Sequence, residues 1–364
     1  VPDSRKPVTT GGSGELLRDQ VKSLALTLGF DLAGVAAALP TPETEYLREW
    51  LAKGYGGSMQ WLERSVEERV DPRRVLDGAR SVIAVAMSYA GEGGADRTDV
   101  HIARYARGED YHVVMGDRLR ALGWGLEALV GRSVAARSYV DTGPVAERVF
   151  ASLGGLGWIG KNTCLIHPEW GSYLFLGVVL TDLELAPDEP GKDRCGSCRL
   201  CLDACPTGAL VSPYRLDARR CIAHATIEDP GPVPMELREG QGGWLFGCDV
   251  CQEVCPWNRP GPGGLADPLG LHERLAPRDS WIRPSLEWVL GLGPEDWQAA
   301  TRHSALRRAR HRGLLRNALV VAGNRPDPAL RDRLQEHAQG PDPMLAEHAR
   351  WALARLDAHE TAGA

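Results

Sequence analysis

The chain has 364 residues, room for two or three domains with their own cores, and its 43% apolar and 25% charged content is ordinary for a globular protein. No apolar run approaches the roughly 18 residues of a membrane-spanning helix; the longest, YLFLGVVL, is far too short. A formal charge of −6 argues against a globally basic nucleic-acid binder but leaves room for a local basic stripe.

The opening stretch, VPDSRKPVTTGGSGELL, is polar and rich in Gly and Ser. It has neither the apolar core of a secretory signal nor a twin-arginine pair. Residues 1–13 are therefore expected to form a disordered tail and the protein to be cytoplasmic. GELLRDQVKSLALTLGF has helical apolar spacing and ends at Gly29, and TPETEYLREWLAKG opens on a Thr/Pro start signal and closes at Gly54. MQWLERSVEERVDPRR adds Arg64, Arg69, Arg73 and Arg74, which read as surface solvation. SVIAVAMSY and SYLFLGVVLT are short apolar runs that predict buried strands, with DRLRALGWGLEALVG as a helix between them. The fold class expected is α+β, with an α/β domain over residues 14–188.

Within that domain IARYARGEDYH gathers Arg104, Tyr105, Arg107, Asp110, Tyr111 and His112, a set that suits substrate recognition or a solvated turn. In YVDTGPVAER, Asp141 ends an extended run. The pattern favours a turn or N-cap aspartate, with a proton donor half-buried under a cofactor as the sharper alternative. GGLGWIGKN formally contains G-x-G-x-x-G, but it follows the helical pattern PVAERVFASL and not a strand. A glycine loop close to a large flat ligand fits better than a nicotinamide site.

LAPDEPGKDR is a linker into the cysteine region, taken as residues 189–262. Cys195, Cys198, Cys201 and Cys205-Pro206 spell C-x2-C-x2-C-x3-C-P, the bacterial ferredoxin spacing. Cys248, Cys251 and Cys255-Pro256 match its last three positions, and Cys221 is the nearby candidate for the missing one. In two-cluster ferredoxins the fourth cysteine ligates the other cluster. The expected sets are thus Cys195, Cys198, Cys201 and Cys255 for one 4Fe-4S cluster, and Cys205, Cys221, Cys248 and Cys251 for the second. Paired zinc knuckles separated by a spacer are the weaker reading. Cys164 is left over and reads as an inert buried thiol.

RPGPGGLADPLG is a second linker, and residues 263–364 are expected to be helical. GLLRNALVVAGN, PDPALRDRLQEHAQG and PDPMLAEHARWALARL suggest a HEAT-like stack. TRHSALRRARHRGLLRN carries Arg302, Arg307, Arg308, Arg310, Arg312 and Arg316 without one acid, a pattern read as a phosphate-binding stripe rather than a solvated face.

Taken together, ARYARGEDYH, VDTGPVAER, GWIGKNT, GSYLFLGVVLT, CGSCRLCLDACPTGAL, CIAHATIE, GCDVCQEVCPWN and LLRNALVVAGN resemble, in order, the epoxyqueuosine reductase family over about residues 20–325. The resemblance implies a cobalamin- and iron–sulfur-dependent enzyme related to reductive dehalogenases. Its reaction would be reduction of the epoxide of epoxyqueuosine, at the tRNA wobble position, to an alkene. It makes Asp141 the proton donor, places Arg64, Lys161, Asn162, Thr163, Ser172 and Ala223 along the corrin, and gives the helical tail to tRNA. One departure stands out: the family reads Cys-Ile-Ser where this chain has Cys221-Ile222-Ala223, so that hydroxyl is missing here. No D-x-H-x-x-G signature is present, so cobalamin is expected base-off, with His112 and His167 as contacts only. A monomer with no membrane partner, fed by an external donor such as a flavodoxin or ferredoxin, completes the expectation. The rivals are a reductive dehalogenase-like enzyme and a plain ferredoxin-type electron carrier.

Overall fold

A computed structural model describes residues 11–90, 100–258, 267 and 269–363. Most of the expected tail and nearly all of the second linker lie outside the described residues, and helix α1 (Gly11–Thr27) already begins inside the stretch expected as tail. The N-terminal half is built on one four-stranded sheet of β1 (Leu32–Ala37), β2 (Ser81–Ser88), β3 (Ala136–Tyr139) and β4 (Leu174–Thr181), in the order β1-β2-β4-β3. Every pairing in it is antiparallel. The α/β expectation for this domain is therefore corrected to α+β. The helices that separate the strands in sequence return the chain in the opposite direction instead of making parallel crossovers.

β2 is buried along its whole length, because alternate residues feed two cores. Ile83, Val85 and Met87 pack with Val21 and Ala25 of α1 and with Val114, Leu119 and Leu122 of α2 (Tyr111–Val130). Val82, Ala84 and Ala86 face the other way, onto Phe150 and Ala151 of α3 (Glu147–Leu153). The sheet is thus a filling between two helical layers, which fixes the ends of β3 and α2 relative to each other.

Contacts cross the boundaries of the three expected segments. The short strand His101–Ile102 pairs in parallel with Trp244–Phe246, beyond the first cluster motif. Ile102, Ala106, Leu245 and Phe246 then share a core with α6 (Arg310–Asn324), α7 (Arg331–Gln339) and α8 (Pro343–Gly363). The two cysteine motifs sit on one-turn helices, α4 (Leu200–Asp203) and α5 (Val250–Glu253), which pack together. Among the described residues no helix is long and apolar enough to cross a membrane.

Candidate functional site

Asp141 follows β3 and turns into the left-handed region, with φ +58°, a conformation that costs a non-glycine residue roughly 1–2 kcal/mol. The loop after it needs its glycine: a Cβ on Gly143 would lie 2.3 Å from the Tyr139 ring. Asp110 caps α2 by accepting from the His112 amide at 3.0 Å, which places His112 in the first helical turn, opposite Asp141. His112 Nδ1 lies 2.7 Å from Asp110 Oδ1, and its Nε2 lies 3.5 Å from Asp141 Oδ2.

Burial disfavours the imidazolium, but hydrogen bonds and charge from Asp110 and Asp141 outweigh it and raise His112 to about 9. Burial pushes Asp141 upward, yet His112 first, then Tyr111 and Arg148, hold it below the usual carboxylate range. The side chain of Asp141 is nonetheless 65% exposed, so its carboxylate is ringed by protein on one side and open on the other. In this arrangement the resting proton sits on His112. Asp141 and His112 thus form one acid pair, in which the imidazolium stabilises the carboxylate anion. Glu147 behaves in the opposite way. Burial, then the charge of Asp141, raise it to about 8.

None of the nine cysteines is in a disulfide. Burial and the charges of Cys255, Cys195 and Cys198 raise Cys201 to about 11. Burial, with Cys221 and Cys205 among its charged neighbours, raises Cys248. A hydrogen bond with Cys164, burial, and the charges of Cys248 and Cys221 raise Cys251. The thiols thus fall into two neighbourhoods, with Cys255 of the second motif beside the first. Thiolates crowded this way need a compensating cation, which is what an iron–sulfur cluster offers. Among the described residues no group of three or more His, Cys, Asp or Glu converges on a single-ion site. A cubane asks instead for four thiolates spread around a whole cluster.

The glycine loop around GWIGKNT connects these parts. It follows α3 and leads into the short strand Trp158–Ile159, so the strand-to-helix context of a dinucleotide site is absent there. Gly157 has a packing reason: a Cβ there would lie 2.1 Å from the Ile166 carbonyl oxygen. Trp158 Nε1 donates to Cys195 Sγ at 3.5 Å, and Lys161 Nζ donates to the carbonyls of Gly196 and Cys198 at 2.5 and 2.9 Å. Asn162 accepts from the Cys164 amide at 3.2 Å and donates to the Cys251 carbonyl at 3.4 Å. Buried Ser172 donates to Gln252 and accepts from Asn258. The polar groups of Lys161, Asn162 and Ser172, expected along the corrin, therefore hold the cysteine module to the sheet domain. Thr163 has φ +65° and accepts from Arg148 at 2.6 Å. Arg64 is exposed at the end of the turn Gln60–Glu63. Ala223 precedes a wide helical turn, His224–Glu228.

The basic block splits. Arg302, Arg307, Arg308, Arg310 and Arg312 are exposed. Arg308 forms a two-pronged pair with Glu228 at 3.0 and 2.7 Å, and Arg312 pairs with Asp342. The hydrogen-bonded Glu228 raises Arg308, with a smaller contribution from the charge of Asp141. Arg316 is only 1% exposed. Its guanidinium donates to the carbonyls of Ala225 and Asp229, both at 2.6 Å, and to Asn317 Oδ1. Its place in the phosphate-binding stripe is corrected: it is a structural group that ties the His224–Glu228 turn to α6. Glu147 and Trp158 were missed as site residues, with only their neighbours in DTGPVAE and GWIGK pointing to them, and His112 was expected as a contact only.

Two family models match the chain: "4Fe-4S double cluster binding domain" over residues 194–258 and "Epoxyqueuosine reductase QueG, DUF1730" over residues 69–142. The epoxyqueuosine reductase of Gloeobacter violaceus is 43% identical over 84% of this chain and 95% of its own length. That of Escherichia coli is 38% identical over 93% of this chain and 89% of its own. A crystal structure of an epoxyqueuosine reductase with an epoxyqueuosine-modified tRNA-Tyr stem loop matches with TM-score 0.86 at 31% identity, covering 94% of this chain and 90% of that one. The Bacillus subtilis enzyme, solved with its aspartate catalytic loop swung out of the active site, matches with TM-score 0.84 at 30% identity, over 94% of this chain and 90% of that one. With identity of this order along nearly its whole length, the chain belongs to the epoxyqueuosine reductase family, a family of oxidoreductases.

Proposed function

We propose that this chain reduces the epoxide of epoxyqueuosine at the tRNA wobble position to the alkene of queuosine, with Asp141 handing a proton to the departing oxygen. The observation that carries this is the position of Asp141, backed by the His112 imidazolium and within electrostatic reach of Arg308 in the basic block. Proton delivery and phosphate recognition then share one entrance. The stem-loop complex of the structural relative supports tRNA as the partner; its phosphates would meet Arg302, Arg307 and Arg310, exposed arginines with no carboxylate partner among the described residues.

Removing the oxygen as water takes two electrons and two protons. Bound 4Fe-4S clusters supply single electrons at low potential, and base-off cobalamin supplies a two-electron nucleophile. Cys195, Cys198, Cys201 and Cys255 would hold one cluster and Cys205, Cys221, Cys248 and Cys251 the other. Arg64, Thr163, Ala223 and the backbone of the Lys161–Asn162 loop would border the corrin. The chain offers a fitting polar contact: Tyr173 Oη is buried and has no hydrogen-bond partner among the described residues. It begins an aromatic run in which Tyr173 meets Tyr89, Phe175 links Tyr89 to Tyr111, and Tyr111 stacks on His112.

Asp141 Oδ2 takes a proton from His112 Nε2 when substrate closes the open side, because desolvation raises a carboxylate's affinity for a proton, and passes it to the departing oxygen, where negative charge develops; the second proton comes from solvent. Asp110 holds the imidazole in place and keeps it charged. The helices α6, α7 and α8 form a HEAT-like support for the basic block, and the enzyme acts as a cytoplasmic monomer supplied by an external flavodoxin or ferredoxin. The test is iron, sulfide and corrin analysis of anaerobically reconstituted protein, followed by turnover on an epoxyqueuosine-bearing stem loop. Corrin retention with appearance of queuosine is expected. Protein that holds its clusters but no corrin, and makes no alkene, would reduce the chain to an electron carrier.

A further inference from the structure

A left-handed aspartate at a reactive position needs something to hold it. Here the amide of Asp141 donates to Glu147 Oε1 at 2.7 Å, which closes a ring around Thr142-Gly143-Pro144. Glu147 begins α3, whose Phe150 and Ala151 are buried in the core beneath the sheet, so the acceptor is fixed to the rigid part of the domain. The next residue, Arg148, reaches across to the Thr163 carbonyl at 2.6 Å and pins the same helix start to the glycine loop. The Asp141 turn is therefore fastened at its far end by one side chain.

We propose that Glu147 is a positioning residue, a latch whose carboxyl oxygen captures the Asp141 N–H and keeps the reactive carboxylate turned into the site. This rests on the reading of Asp141 as the proton-delivering group. A neutral latch suits its place better than a charged one, because a second carboxylate beside Asp141 would repel it. The charged groups facing Glu147 are Asp141, Arg148 and Arg69, and the net result of burial and these charges is a carboxyl raised to about 8. Glutamine offers the same acceptor without the titration.

The experiment compares wild type, E147Q and E147A, each loaded with both clusters and cobalamin. It measures kcat and KM on the epoxyqueuosine stem loop, the pH profile, and amide exchange over the Asp141 turn. For E147A we expect kcat to fall about 100-fold, with KM little changed and faster exchange at Asp141. E147Q should restore both kcat and slow exchange, and should lose any decline that sets in as Glu147 ionises above about 8. An E147Q enzyme as poor as E147A would overturn the latch in favour of a proton-donating Glu147. So would fast exchange of the Asp141 amide in the wild type, a readout that does not depend on any variant folding. Full activity in D141A would instead remove the proton-delivery reading, while the exchange data would still report on the latch.

Discussion

His112 bridges two carboxylates, with Nδ1 2.7 Å from Asp110 Oδ1 and Nε2 3.5 Å from Asp141 Oδ2. It does so at the N-terminus of a helix, where the dipole alone would disfavour an imidazolium. The two acids win, and the charged ring becomes the local proton store. Replacing His112 by Gln should lower the rate of alkene formation by about 100-fold or more, with clusters and corrin retained; a wild-type single-turnover rate would remove His112 from the path. The pH dependence has a definite sign. The pKa of His112 is raised by folding, to about 9, so its contribution to stability is complete below the unfolded value of about 6.5. That contribution is lost as pH rises through about 9, and thermal melts of wild type and His112→Gln should converge above that pH.

The neighbourhood of Cys201 contains Cys255, a residue of the other motif. Cys255→Ala should therefore damage the cluster held by Cys195, Cys198 and Cys201, and Cys205→Ala the other. Iron would fall from about eight toward about four per chain in each case, but the low-temperature EPR of the remaining cluster should differ between the two variants. Identical residual spectra would contradict the crossed assignment.

Arg316 and Arg307 lie in the same basic stretch but should fail in different ways. Removing the Arg316 guanidinium strands the buried carbonyl of Ala225 and the half-buried one of Asp229. Arg316→Ala should cost at least about 3 kcal/mol of stability, seen as a lower melting temperature. Arg307→Glu with Arg310→Glu should leave the melt unchanged and weaken stem-loop binding, with the salt slope smaller by about one for each lost contact. Unchanged RNA affinity in that double variant would relocate the RNA surface.

Much of this was legible because it is local. The C-x2-C spacing, the strand runs Ser81–Ser88 and Leu174–Thr181, and the helices around Tyr111–Val130 and Arg310–Asn324 announce themselves by period and punctuation. What escaped depends on distance in the fold. Strand direction is a long-range property, and alternating helices and strands gave no warning that β2 and β4 run antiparallel. Six arginines in one stretch look alike until α6 turns Arg316 inward. Ser172 and Lys161, expected along the corrin, also hydrogen-bond to Gln252 and to the Gly196 carbonyl, contacts that sequence spacing does not encode. The state of Asp141 was hidden for the same reason: His112 precedes it by a whole helix and a strand.

The most direct test is nucleoside analysis of an epoxyqueuosine-bearing stem loop after a single turnover with Asp141→Asn, loaded with both clusters and cobalamin under strict anoxia. Asparagine preserves size and the backbone contact to Glu147 but carries no transferable acid proton. The account predicts normal iron, sulfide and corrin content, normal stem-loop binding, and unconverted epoxyqueuosine. Queuosine formed at the wild-type rate would contradict it.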